Sequence, residues 1–494
     1  MTPDATHPRS DALDALRGYS ILTMALSGLV PWGTLPAWMY HAQLAPPTMK
    51  FNPAIAGLTW VDLVFPFFLF SMGAAIPLAL APRLARGEAP WRLALVGLRR
   101  GLLLIAFALY VQHTAPYTMS KEPGSATWLL SLLAFGLLFP ALTRLPASWP
   151  AGSRLLIRAA GWGGMLAWVW LYWYAGGVDP ALDAGGSQGV LAAINRVAAR
   201  SDIIIVVLAN TIVTATLVWL LTRGSVPLRL GIMIGVIALR LAKDSPGWVR
   251  DAWLWQPVPS LCQLYFQQYL LVVLPGTIAG DLIAAWLRRQ RSKRQAEPPA
   301  APGVHESRAH LLVAAGMVTL IVVVLTGLQS RWVTTTACVS VVLCAVSAWL
   351  MLPAKGALRR LHWGIFRWSV LWLLLGLVLE PYEGGIKKDP STLSYYFVTS
   401  GLAGFALVAL GTIIDGLRRV GPLQLLIDAG QNPMIAYAGI RSFLAPVVHL
   451  TGLEALLVKL LNTPWLGVVR AVLKTLLLAG VTSLLTRLRI FWRT

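Results

Sequence analysis

Apolar runs, most of them about 18 or more residues long, alternate along the whole chain with short segments rich in arginine, proline and glycine. A run of that length spans the hydrocarbon of a bilayer as a helix. The pattern predicts helices at about Leu16 to Trp32, Leu58 to Leu80, Leu102 to Val111, Thr127 to Leu142, Ile157 to Tyr174, Ile203 to Leu221 and Leu230 to Leu241. It continues with Leu261 to Leu287, Leu311 to Leu328, Val333 to Leu352, Trp363 to Leu379 and Leu393 to Ile414. A further helix opens with DAGQNPMIAYAG, and the last ends in LTRLRIFWRT. The expected fold is therefore an all-α polytopic integral membrane protein of about 14 (12–14) transmembrane helices.

Composition supports this pattern. Of 494 residues, 57% are hydrophobic and only 12% charged, about half the charged share of a soluble protein. The net charge of +21 would suggest nucleic acid in a soluble domain. In a membrane protein it reads first as basic cytoplasmic loops, and no nucleic acid is expected. Placing the N-terminus inside collects roughly 27 Lys and Arg on the cytoplasmic side against roughly 12 outside, so both termini are expected in the cytoplasm. The first helix reads as uncleaved, since Pro31 interrupts it and no small-residue cleavage pattern follows. Cys262, Cys338 and Cys344 lie in apolar segments without metal-ligand spacing and are expected to be packed thiols.

The chain reads as a single membrane domain, 1–494, without a visible internal repeat. Within it are N-terminal motif helices (13–112), a polar loop (36–57), a basic linker (288–310) and a C-terminal motif block (380–450). No phosphate-binding loop, dinucleotide glycine fingerprint, HExxH or GxSxG is present, so nothing points to an ATPase, a metalloenzyme or a hydrolase elbow.

Chemistry concentrates in the loop after the first helix. His41 sits there beside Trp38 and Tyr40, and Asp62 opens the next helix. A carboxylate at one ring nitrogen would fix the tautomer and leave the other nitrogen to take a proton. An interfacial histidine bonded to a carbonyl, and an aspartate that merely caps its helix, are the plainer alternatives. Loop 384–396, GGIKKDPSTLSYY, carries Lys388 and Ser394 and could hold an anionic or sugar ligand. Asn432 lies in a Pro-broken turn, of the kind tolerated at membrane depth when packed in protein or lining a cavity. Arg240, Asp281, Glu380, Asp415 and Asp428 lie near helix ends, where interfacial solvation accounts for them; Arg441 alone resists that account.

The strings LDALRGYSILTM, YHA and GLTWVDLVFPFFLFSMG, then KKDPSTLSYYFVTSGLAGF, GQNPMIAYAG and the terminal IFWRT, carry a pattern. It resembles the family of the lysosomal heparan-α-glucosaminide N-acetyltransferase and its bacterial relatives. The resemblance is dense over Leu13 to Leu80 and Gly384 to Gly439. It implies transmembrane acetylation: cytoplasmic acetyl-CoA gives its acetyl group to a glucosamine-type amine on the far side, with no metal. The family's catalytic histidine falls at His41, and Asp62 is its expected partner. Arg17 and Asn432 match motif positions and, with the cytoplasmic Arg99 and Arg100, are expected to hold the cofactor. Trp38, Tyr40, Lys388 and Ser394 are expected at the substrate. An asparagine of the family's site aligns with Ser27 or Gly28 here, which is a departure. Expected partners are a small amino sugar or glycan and membrane lipids, with a homodimer allowed; the expected location is a bacterial inner membrane. An amino-sugar transporter and a sugar O-acyltransferase are the alternatives.

Overall fold

The computed structural model describes residues 9–175, 195–294, 304–352 and 356–492. Its long helices, in chain order, are α1 (Asp11–Leu29), α2 (Trp60–Ala85), α3 (Pro90–His113), α4 (Ser125–Leu142), α5 (Ala151–Val169), α6 (Ile203–Thr222) and α7 (Val226–Leu241). There follow α8 (Leu270–Arg294), α9 (Val304–Gln329), α10 (Val333–Met351), α11 (Ala357–Leu379), α12 (Leu393–Gly411), α13 (Gln424–Gln431), α14 (Pro433–Gly439) and α15 (Pro464–Arg487). Among the described residues, 11 helical stretches are long and apolar enough to cross a membrane. The protein is an all-α polytopic membrane protein.

Three of the predicted spans are helical without meeting that description. Helix α1 carries Asp14 and Arg17, α5 carries Arg154 and Arg158, and α7 has 16 residues. Of the basic linker 288–310, residues 295–303 lie outside the described residues, as do residues 176–194 of the loop before α6 and the last two positions of the terminal motif. The cysteine expectation needs correcting: Cys344 is buried, whereas Cys262 and Cys338 are exposed. Apolarity drives a side chain out of water, and a lipid-facing surface satisfies that as well as a core does.

The chain divides into two compact units. The first comprises Met1–Ala94, Ala215–Ile237 and Tyr269–Gly430. Its centre is the pair α2 and α8, where small residues bring backbones together: a Cβ on Gly73 would lie 2.1 Å from the Val273 carbonyl oxygen, and one on Gly276 2.2 Å from that of Phe70. Lipid is as apolar as leucine, so such close packing rather than water exclusion holds membrane helices together. Helix α1 crosses α13 in the same way. A Cβ on Gly18 would lie 1.8 Å from the Leu426 carbonyl oxygen, and one on Gly430 1.7 Å from that of Asp14. Arg17 seals this crossing by donating to the Asp14 carboxylate at 3.1 Å, the Gly430 carbonyl at 3.1 Å and the Ser71 carbonyl at 3.4 Å.

Charges that seemed to be end effects are paired inside this unit. Arg229, fully buried, donates to Asp281 at 2.8 Å, to Thr277 at 3.0 Å and to Thr222 at 3.1 Å, while the Trp219 indole donates to Asp281 at 3.0 Å. Buried Glu380 pairs with Arg331. Solvation at a helix end explains neither acid, because each meets an arginine that is distant in sequence.

The second unit comprises Leu95–Thr214, Ala238–Gln268 and Gln431–Thr494. Here the side chain of buried Asn432 donates to the Ile490 carbonyl, and its own oxygen accepts from the Trp492 N–H at 3.4 Å. The Trp492 ring packs against Phe107, Phe135 and Phe139. The Pro-broken turn thus anchors the end of the chain.

Candidate functional site

The loop between α1 and α2 is held from within by Tyr40. Its buried phenol donates to the Pro31 carbonyl at 2.7 Å and accepts the N–H groups of Thr34 (3.1 Å) and Leu35 (2.9 Å). This leaves His41 at the mouth of α2. Thr59 is the N-cap of α2 and Asp62 stands at its third position, so the two form a capping box. Asp62 Oδ2 accepts from the Thr59 N–H at 3.1 Å and from the Ala42 N–H at 3.2 Å. The other oxygen is left for the imidazole, and His41 Nδ1 donates to Oδ1 at 2.7 Å. The cap and the dyad partner are therefore the same side chain, each carboxylate oxygen doing one task.

Helix geometry adds a further hold on Asp62. Pro66, four residues on, has no N–H to give to the Asp62 carbonyl, and Tyr395 from α12 donates its hydroxyl there at 2.9 Å. A buried carbonyl without a partner costs roughly 1–3 kcal/mol. Tyr395→Phe is accordingly expected to lower stability by about that amount, and a thermal melt of the purified variant checks it. An unchanged melting temperature would mean that the carbonyl finds another donor.

Lys388 completes the group from the loop between α11 and α12. Its Nζ lies 3.1 Å from His41 Nδ1, 3.4 Å from Nε2 and 4.0 Å from Asp62 Oδ1. With Nδ1–H committed to Asp62, the ammonium stands beside the imidazole, slightly nearer Nδ1 than Nε2. Burial pushes the Lys388 pKa below the ordinary 10.5, against the pull of Asp62 and Asp389 that holds the proton on. The side chains of His41 and Lys388 remain about one-third exposed, at 34% and 31%, while Asp62 is at 2%. A solute can therefore reach the imidazole and the ammonium but not the carboxylate.

Several contacts fix the Lys388 loop against the His41 loop. The Gln43 amide donates to the Asp389 carbonyl and accepts the Asp389 N–H at 2.9 Å. The Gly57 N–H donates to the Ile386 carbonyl at 2.9 Å. Glu380 accepts the Ile386 N–H at 3.2 Å while pairing with Arg331. Glu383 takes the N–H groups of Leu393 and Ser394 at 2.7 Å each, so a carboxylate satisfies the first turn of α12.

Of the residues expected at a site, the structure brings His41, Asp62 and Lys388 together. Trp38 is half exposed on the short turn Ala37–Met39 just before His41. Tyr40 and Ser394 are both buried. The Ser394 hydroxyl donates to the Thr392 hydroxyl at 2.8 Å, while the Tyr40 hydroxyl bonds backbone. Arg17 is spent on Asp14 and two carbonyls, and Asn432 on the chain end. Arg99 and Arg100 are exposed on α3 in the second unit. Gln43, Tyr395, Glu380 and Arg331 were not foreseen. Pro66 four residues after Asp62 was a readable signal for a donor such as Tyr395, whereas nothing local announces Arg331.

A membrane-embedded helical protein with a His–Asp–Lys group at the mouth of one helix is the class that fold and site define. The model of the family described as a domain of unknown function (DUF5009) matches residues 9–283, more than half of the chain, and the chain belongs to that family. The match includes His41 and Asp62 and stops before Lys388. No curated protein matches this chain.

Proposed function

We propose that this chain is a transmembrane acetyltransferase of a bacterial inner membrane, with about fourteen spans and both termini in the cytoplasm. It moves the acetyl group of cytoplasmic acetyl-CoA to the amine of a glucosamine-type sugar on the periplasmic side. The observation that carries this is the 2.7 Å bond from His41 Nδ1 to a buried Asp62, with the imidazole still open to solvent. A carboxylate at Nδ1 leaves Nε2 as the proton acceptor, which is what an amine attacking a thioester requires.

In the step itself the sugar nitrogen attacks the thioester carbonyl and its proton passes to His41 Nε2. The carbon–sulfur bond then breaks, and the coenzyme A thiolate takes that proton back from the imidazolium. Asp62 holds the imidazolium while it exists. The Lys388 ammonium, 3.4 Å from Nε2, would stabilise the oxyanion of the tetrahedral intermediate. Coenzyme A carries several phosphates that cannot enter lipid, so they stay with basic side chains on the cytoplasmic side.

The test is release of coenzyme A by the purified protein in nanodiscs supplied with acetyl-CoA and glucosamine. No release with any amino sugar tried would sink the enzyme. Passage of labelled glucosamine into proteoliposomes without acetyl-CoA would favour a permease instead. The Lys388 shift adds a pH expectation. Its charged form is the one disfavoured by burial, so the ammonium is lost at a lower pH than an exposed lysine's 10.5. Activity that needs the ammonium therefore falls on an alkaline limb below that value. Lys388→Arg, which keeps its charge, is expected to move the limb upward. An alkaline limb identical in both proteins would remove Lys388 from the chemistry.

A further inference from the structure

A second polar group lies wholly within the second unit. Arg441 stands near the middle of the apolar span Pro433–Leu450, yet its side chain is 54% exposed. An arginine at that depth ordinarily faces a watery cavity or a partner. The helix widens here into a π-turn, Ile440–Leu444, a feature frequent where a helix presents a functional side chain. Arg441 Nη1 donates to Gln112 Oε1 at 3.1 Å and lies 3.8 Å from Asp202. Among the described residues its Nε and Nη2 have no hydrogen-bond acceptor.

Asp202 engages only one nitrogen of this arginine, beyond hydrogen-bond distance. The Tyr437 hydroxyl reaches both of its oxygens at 2.7 Å, and the N–H groups of Ile204 and Ile205 donate to it at 3.1 and 3.3 Å as the first turn of α6 begins. Its hydrogen bonds are supplied without Arg441, which meets it only through Nη1 at 3.8 Å, and the guanidinium keeps its other edge as a fork suited to a carboxylate. Asp202 stands close enough to disfavour every added negative charge, so a monoanion fits better than a ligand with more charges. The neighbours supply polar and aromatic contacts. Gln112 Nε2 lies 3.3 Å from Thr118 Oγ1, and next to Thr118 the Tyr117 ring is 65% exposed. Tyr117 meets Trp128 edge-on, and Trp128 stacks on exposed His449 at 4.3 Å.

We infer that Arg441, Gln112 and Tyr117 form a binding site for a hydroxylated monocarboxylate of the size of an acid sugar. The carboxylate pairs with the free edge of the guanidinium, and the hydroxylated ring meets Gln112 and the face of Tyr117. The inference does not depend on acetyl transfer.

Titration calorimetry of the full chain in nanodiscs of zwitterionic lipid, with glucuronate as probe and glucose as control, tests this. Saturable binding of glucuronate and none of glucose is expected. Arg441→Gln is expected to weaken it about tenfold or more, and Arg441→Lys less, since lysine keeps the charge without the fork. Tyr117→Ala, at an exposed position that does not carry the fold, is expected to weaken it several-fold, and His41→Ala to leave it unchanged. The inference is overturned if glucuronate does not bind wild type, or if it binds Arg441→Gln or Tyr117→Ala as tightly. It is also overturned if His41→Ala abolishes binding, or if anionic lipid in the nanodisc displaces glucuronate, which would make the occupant a lipid headgroup.

Discussion

His41→Ala is expected to lower the turnover of acetyl-CoA-dependent glucosamine acetylation by about 10²- to 10⁴-fold while leaving KM for either substrate little changed. The reason is positional. His41 is the imidazole whose Nδ1 is fixed by a buried carboxylate, and its Nε2 is the basic atom left facing solvent. Losing it removes the proton acceptor but no part of the capping box, because Thr59 and the Ala42 N–H still hold Asp62. Folding should therefore survive, which makes the rate a clean readout. Asp62→Asn is expected to cut turnover as well, because an amide holds the imidazolium less firmly than a carboxylate does. Single-turnover release of coenzyme A by both variants checks this. A His41→Ala rate within twofold of wild type would remove His41 from the chemistry and leave the His–Asp–Lys group as a structural tie.

The second large effect falls far from the imidazole. Gly430→Ala places a methyl group 1.7 Å from the Asp14 carbonyl oxygen, and Gly18→Ala places one 1.8 Å from that of Leu426. Backbone cannot yield as a flexible side chain can, so α1 and α13 must separate. Overpacking of this kind costs about 1–3 kcal/mol, and separation also pulls Arg17 from the Gly430 carbonyl. Each substitution is expected to lower the melting temperature, and the double variant by less than the sum, since either alone already opens the crossing. Tryptophan fluorescence melts in detergent measure it. A melting temperature equal to wild type in both single variants would show that the helices do not cross this closely.

Much of the fold was legible from hydrophobic runs, because a bilayer demands helices of nearly fixed length and apolar surface. The departures have a common cause. Helices α1, α5 and α7 carry charges or are short, yet they are helical because neighbours supply partners, as Gly430 and Ser71 do for Arg17. The site was half legible. His41 and Asp62 are 21 residues apart and flank one helix start, so their meeting needs only a turn of chain. Lys388 meets His41 across 347 positions, and no local pattern announces that. Tyr40 is claimed by backbone donors and an acceptor that needed partners, and Ser394 by the Thr392 hydroxyl.

By itself the sequence determined that this is a helical membrane protein, that its outstanding histidine sits in a loop leading to an acid-capped helix, and that Arg441 is out of place in an apolar run. These follow from composition and spacing, which act locally. The tertiary structure alone decided that Asp62 serves the cap with one oxygen and His41 with the other, that Tyr395 answers the carbonyl freed by Pro66, and that Lys388 lies beside the imidazole. It also decided that Tyr437, and not Arg441, supplies the side-chain hydrogen bond to Asp202. Such facts depend on which distant groups reach one another, and hydrogen bonds inside a membrane are settled only by that.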